Sequence, residues 1–172
     1  MTEFPPYRVP DALGEVAGWR AWRVLSDGDA RLSSVDVGGT LWHPGRFAKA
    51  RCLRGASHLA PDEACTCGFY AARTREDLVG LGTYHRYTRE HPVVIGEVAL
   101  SGKVIFASRG FRAEQARPLR LLIPYELWHL ADQLAGVYGP DEVQVELDNT
   151  LRSGGRTQPA DFLDPSVTVS DA

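Results

Sequence analysis

Four side chains in one short stretch have the chemistry of metal ligands. Cys52, His58, Cys65 and Cys67 fall within Ala50–Gly68, and all three cysteines of the chain are among them. Thiolate and neutral imidazole are the donors zinc prefers, and three sulfurs with one nitrogen complete a tetrahedral structural shell. Cys65 and Cys67 are one residue apart, so in extended backbone both sulfurs project from one face. Gly68 then lets the chain approach an ion without a side-chain clash. Cys52 and His58 lie on a segment punctuated by Gly55 and Pro61 that can fold back to supply the third and fourth ligands. The spacing, C-x5-H-x6-C-x-C, lacks the paired two-residue spacers of a zinc ribbon, so the reading rests on donor type and clustering.

The same residues admit other uses. Free cysteine is among the most buried residue types, and three thiols could simply be small packing groups. Cys65 and Cys67 could form a redox pair, at the expense of a strained ring and without a thioredoxin-like βαβ pattern around them. His43 or His85 could replace His58. A catalytic zinc would keep an open position, with Asp62, Glu63 or His85 as the proton carrier. The deaminase signature needs H-x-E and P-C-x-x-C, whereas Leu59 and Ala60 follow His58, and H-E-x-x-H is absent as well. With four donors at hand, the simpler assignment is a closed zinc site in a non-enzymatic binding or adaptor module. A zinc- or thiolate-dependent enzyme is the alternative.

A second group of residues could recognise a ligand. Arg112, Glu114 and Arg117 lie in Gly110–Pro118, between two apolar segments, where they could bind an anion or pair with one another. Tyr84, His85 and Tyr87 combine stacking surface with a titratable group. Trp19 and Trp22, three apart, should face opposite sides of a sheet, and Trp22 is a candidate stacking platform. Together they would suit a small barrel that recognises a nucleotide or nucleic acid.

These groups need a scaffold. Trp19–Val24 and Arg31–Val35 read as strands joined by Asp27-Gly28-Asp29. Phe47–Arg54 fits either a short helix or a loop. Cys67–Ala72 reads as a strand, and Thr74-Arg75-Glu76-Asp77 as a capping box that opens a short helix with Leu78 and Leu81 on one face. Val93–Leu100 and Lys103–Phe106, either side of Ser101-Gly102, predict a hairpin. Leu119–Ile123 is an apolar strand ended by Pro124. Leu127, Leu130, Ala131, Leu134 and Tyr138 recur at helical spacing up to Gly139-Pro140, and Val143–Leu147 alternates as a last strand. The fold class is α+β, with a mostly antiparallel sheet able to close toward a barrel, one C-terminal amphipathic helix and a short middle helix. Residues 1–18 read as an arm, 19–148 as a single zinc-stabilised domain, and 149–172 as a flexible tail.

Composition bounds the alternatives. The chain has 172 residues, 44% hydrophobic and 24% charged, enough to bury roughly 70% of its unfolded surface and unlike a disordered, collagenous or coiled-coil protein. Lys+Arg is 19 against 22 Asp+Glu, a net charge of -3, without the basic excess that drives non-specific nucleic-acid binding. Lys49 and Lys103 are the only lysines, an arginine bias of the kind a GC-rich genome imposes. Met1–Pro10 holds three prolines and no apolar run behind a basic start, unlike a signal peptide, and no stretch of about 18 apolar residues is free of charge. With an odd number of cysteines, these features point to a reducing cytoplasm, no membrane partner, and a protein or small molecule as the partner.

Cys65-Thr66-Cys67-Gly68-Phe69-Tyr70-Ala71, preceded by Cys52 and His58-Leu59-Ala60-Pro61 and followed by Gly96-Glu97-Val98 and Gly110–Glu114, resembles a group of small conserved actinobacterial proteins. The resemblance spans Trp19 to Ile123. It implies a metal at Cys52, His58, Cys65 and Cys67, and no mechanism.

Overall fold

In a computed structural model, residues 7–9, 14–35, 39–55, 57–80 and 91–150 are described. The strands are β1 (Tyr7–Val9), β2 (Val16–Leu25), β3 (Arg31–Ser34), β4 (Leu41–Trp42), β5 (Ala48–Lys49), β6 (Phe69–Ala72), β7 (Val93–Ala107), β8 (Gly110–Pro124) and β9 (Gln144–Asp148). Helix α1 (Arg75–Gly80) separates β6 from β7, and a 3-10 turn (Tyr125–Leu127) leads into helix α2 (Trp128–Tyr138). The class is α+β, with a mostly antiparallel sheet.

Two fifteen-residue strands, β7 and β8, pair antiparallel and carry the rest. The sheet runs β1-β7-β8-β6-β2-β3-β4, and β2 also pairs with β7. These pairings close a ring of β2, β7, β8 and β6, but the β6–β2 seam is one residue pair, Trp19 with Ala72. The remaining strands lie outside the ring, so the sheet is not a clean barrel. On the edge away from β7, β8 takes three strands in turn: β6 along Gly110–Ala113, β5 at Gln115–Ala116, and β9 along Arg120–Pro124. The β9 pairing is parallel.

The hairpin expected at Ser101-Gly102 does not form. β7 continues through it, and the register slips between Ser101 and Val104 as a bulge. Gly102 has φ +71°, and the Glu114 carboxylate crowds the space a Cβ would fill while accepting the Lys103 N–H at 3.0 Å. The chain reverses instead at Ser108-Arg109. Gly110–Pro118, expected as a link, is therefore the first part of β8, and Pro118 falls beside the second irregularity, between Glu97 and Val98, where a missing ladder N–H is tolerated. A glycine inside a β-branched run reads as turn or bulge alike, and only the partner strand decides.

Other elements follow the local chemistry. β2 and β3 form the expected hairpin around Gly28, at φ +121°. Thr74 caps α1, its hydroxyl oxygen accepting the Asp77 N–H at 3.0 Å. Within Phe47–Arg54 the regular part is the two-residue β5. In the segment expected as an arm, Tyr7–Val9 pair with β7 and Val16 already belongs to β2. Leu81, Tyr84, His85, Tyr87 and the expected tail beyond residue 150 lie outside the described residues.

The core is aromatic at its centre. Trp22 meets Trp42 edge-on at 5.6 Å, and Trp42 lies 5.1 Å from Phe69. Helix α2 buries Leu130, Leu134 and Tyr138 against it. The Tyr138 hydroxyl donates to the Trp42 carbonyl at 2.7 Å and accepts the Leu32 N–H at 2.8 Å. Buried Arg20 donates to the Tyr70 carbonyl and to Ser34 Oγ, with its guanidinium over the Trp42 and Phe69 rings. Among the described residues no helix is long and apolar enough to cross a membrane.

Gly96 marks the closest approach of two strands. A Cβ there would lie 1.9 Å from the Arg120 carbonyl oxygen, which is backbone and cannot turn aside. Gly96→Ala should therefore cost at least about 3 kcal/mol, since overpacking against a fixed neighbour forces backbone to shift. The check is thermal denaturation, with a fall in Tm of roughly 10 °C expected.

Candidate metal centre

All four expected ligands lie in the loop between β5 and β6, whose two ends are fixed to β8 a few residues apart. Ala48 pairs with Ala116, Phe69 pairs with Ala113, and the Ala50 N–H reaches the Glu114 carbonyl at 2.8 Å. Gly55 and Gly68 adopt positive φ, and at Gly68 a Cβ would meet the Pro61 ring at 2.9 Å. The chain can therefore double back only with glycine at that point. Cys65 and Cys67 precede the strand instead of lying in it, yet their sulfurs converge.

The donor atoms of Cys52, His58, Cys65 and Cys67 lie within 4.8 Å of one another, and all four residues are half-buried. Cys52 Sγ and Cys65 Sγ are 3.8 Å apart, and His58 Nε2 and Cys67 Sγ are 3.3 Å apart. A tetrahedron with zinc–sulfur bonds of about 2.3 Å and a zinc–nitrogen bond of about 2.0 Å has edges of about 3.8 Å and about 3.5 Å. The three cysteines are free thiols. His43 is not in the cluster and instead lines a neighbouring cavity.

The loop backbone is prepared for anionic sulfur. The Cys65 thiol is lowered to about 7, first by a hydrogen bond from the Cys67 backbone and then by smaller contributions from the side chains of Cys52, Cys67 and His58, against partial desolvation. Cys67 moves the other way: burial pushes it up, and the neighbouring Cys65 adds to this, while a backbone hydrogen bond from Asp62 opposes it. Asp62 also shapes the turn, its Oδ1 accepting the Ala64 N–H at 3.0 Å and its carbonyl accepting the Cys65 N–H at 3.2 Å.

Beneath the loop sits Arg112, 8% exposed. Its Nη1 donates to the carbonyls of Asp62 at 3.2 Å, Cys67 at 3.4 Å, and Cys65. One buried guanidinium group thus collects three carbonyls of the ligand segment.

The other expected recognition residues separate. Trp22 is fully buried and is core, not a surface platform, because β2 turns that face to Trp42; Trp19 is the partner that lines cavities. Glu114 holds the bulge at Lys103, and Arg117 pairs with Glu15 at 2.9 Å, so the anticipated pairing of Glu114 with either arginine does not occur. Sequence reasoning passed over Arg20, because the rings it lies over, Trp42 and Phe69, are distant in sequence and meet it only in the folded chain. Comparison with protein-family models, curated proteins and solved structures returns no match.

Two outcomes follow. In the metal-free chain Cys65 should be alkylated by iodoacetamide before Cys67, with a rate rising through a midpoint of about 7, as read by peptide mass spectrometry. Arg112→Lys keeps the charge but loses the planar fork, and should weaken zinc binding by about 10- to 100-fold in a chelator competition.

Proposed function

We propose that the chain is a cytoplasmic, non-enzymatic binding or adaptor module whose fold is completed by one structural zinc ion held by Cys52, His58, Cys65 and Cys67. The observation that carries this reading is the convergence of four donor atoms within 4.8 Å on a loop already fixed at both ends. Soft thiolates with an imidazole in tetrahedral disposition suit zinc over calcium, magnesium or manganese. Four protein ligands fill the shell and leave no position for a substrate. Of the two carboxylates next to Cys65 in sequence, Glu63 and Asp62, Asp62 is engaged with the Ala64 N–H, which favours the structural reading over the enzymatic one for that candidate. The arginine bias and the Cys-Thr-Cys-Gly-Phe-Tyr-Ala string support placing the chain with the actinobacterial group it resembles.

Because an unfolded chain holds no preformed site, zinc affinity becomes folding free energy; structural zinc in finger peptides contributes about 10–16 kcal/mol. Elemental analysis of the purified chain should find one zinc per molecule. Chelation should lower Tm by more than about 10 °C, with His58→Ala or Cys52→Ser reproducing the loss. A purified chain free of metal and as stable as the loaded form would end this reading.

A further inference from the structure

The outer face of the metal loop borders a cavity of about 620 Å³, within the range of small-ligand sites, between β4, β5 and the start of β6. Its wall carries Lys49, Arg51 and Arg54, and among the described residues no Asp or Glu lines it. All three cations are exposed, and among the described residues none has a side-chain ion pair or hydrogen bond. Four arginines elsewhere have carboxylate partners: Arg75 with Asp148, Arg109 with Asp77, Arg117 with Glu15, Arg120 with Glu146. Among the described residues Arg31 and Arg46 are also exposed without a carboxylate partner, but neither lines this cavity; three such cations share its wall on a chain of net charge -3.

The same wall carries a flat ring. Tyr70 is 50% exposed, and its hydroxyl donates to the carbonyl of Thr66, the residue between the two ligand cysteines, at 2.7 Å. The ring is thereby held in place by the metal loop. Leu53, 74% exposed, extends the apolar surface. Cations along a groove with a fixed ring beside them match a sugar-phosphate backbone with an unstacked base, whereas an acidic peptide would leave the ring unused. A duplex keeps its bases stacked and could not reach Tyr70.

We infer that this groove binds single-stranded nucleic acid, with phosphates on Lys49, Arg51 and Arg54 and a base on the ring of Tyr70. The inference deepens the proposed function by naming the partner class, and it rests on the metal reading because the zinc loop carries Arg51 and Arg54 and holds the Tyr70 hydroxyl through the Thr66 carbonyl. With three phosphates neutralised, log affinity should fall against log salt with a slope of about 2, a weakening of roughly 15- to 20-fold from about 50 to about 200 mM salt.

The test is fluorescence anisotropy of a labelled uridine decamer titrated with the zinc-loaded full chain, with zinc assayed on every sample. Saturable binding with that salt slope is expected. Lys49→Glu/Arg51→Glu/Arg54→Glu should lose at least about tenfold, and Tyr70→Ala at least about fivefold, both with zinc retained. Arg31→Glu, exposed and outside the groove, should change affinity by no more than about twofold. Should the triple variant lose its zinc, Lys49→Gln, on β5 and outside the loop, must itself lower the slope by about 0.7. Absence of saturation at about 10⁻⁴ M zinc-loaded protein overturns the groove and leaves the metal site standing. Binding by a chain that holds no zinc keeps the groove and overturns the metal reading. Competition by a glutamate decamer at equal affinity overturns the nucleic-acid assignment in favour of an acidic peptide.

Discussion

Strand β8 must satisfy the backbone of fifteen residues on both edges, and no single partner covers the edge away from β7. β6, β5 and β9 share it, and an unpaired stretch of buried N–H and C=O groups would cost more than the short strands that cover it. β5 and β6 are consecutive along the chain, so everything between them is forced outward as a loop from neighbouring points of β8. The place of the four candidate metal ligands follows from this division of one edge.

A loop with both ends pinned has already lost much of its freedom, and closing it further around an ion costs less than the same closure in an open chain. Arg112 completes the arrangement from the sheet side. It reaches the loop only because β8 places it opposite Tyr70, the second residue of β6. Its buried charge faces the carbonyls of Asp62, Cys65 and Cys67. A buried guanidinium is tolerable where its donors are met in this way. The sheet and the metal loop are thus one construction, and the exposed tyrosine on its rim inherits that rigidity through the Thr66 carbonyl.

How much of this could be read beforehand depended on whether residue type or residue partner decides. Coordination needs particular atoms, so Cys52, His58, Cys65 and Cys67 were visible from type and crowding alone, and geometry then places their donors together. Thr74 was legible for the same reason, since a cap is a local bond. Ser101-Gly102 was not, because the strand that turns a glycine kink into a bulge arrives only with Glu114. Nor was the use of Trp22, Arg112 and Arg117, since an arginine or tryptophan has the same composition whether it serves the interior or a ligand. Lys49, Arg51 and Arg54 lacked any motif. Their significance lies in which carboxylates stay away, a property of the folded surface.

The Tyr138 hydroxyl, bonded to both Leu32 and Trp42, has a consequence for the order of assembly. During vectorial synthesis the β3–β4 ribbon emerges about a hundred residues before the side chain that completes its hydrogen bonds. Until α2 leaves the ribosome, the Leu32 amide and the Trp42 carbonyl lack their final partner, and closure of this end of the core is a late, long-range event. Nascent chains halted upstream of Tyr138 would present that ribbon to chaperones as unfinished surface.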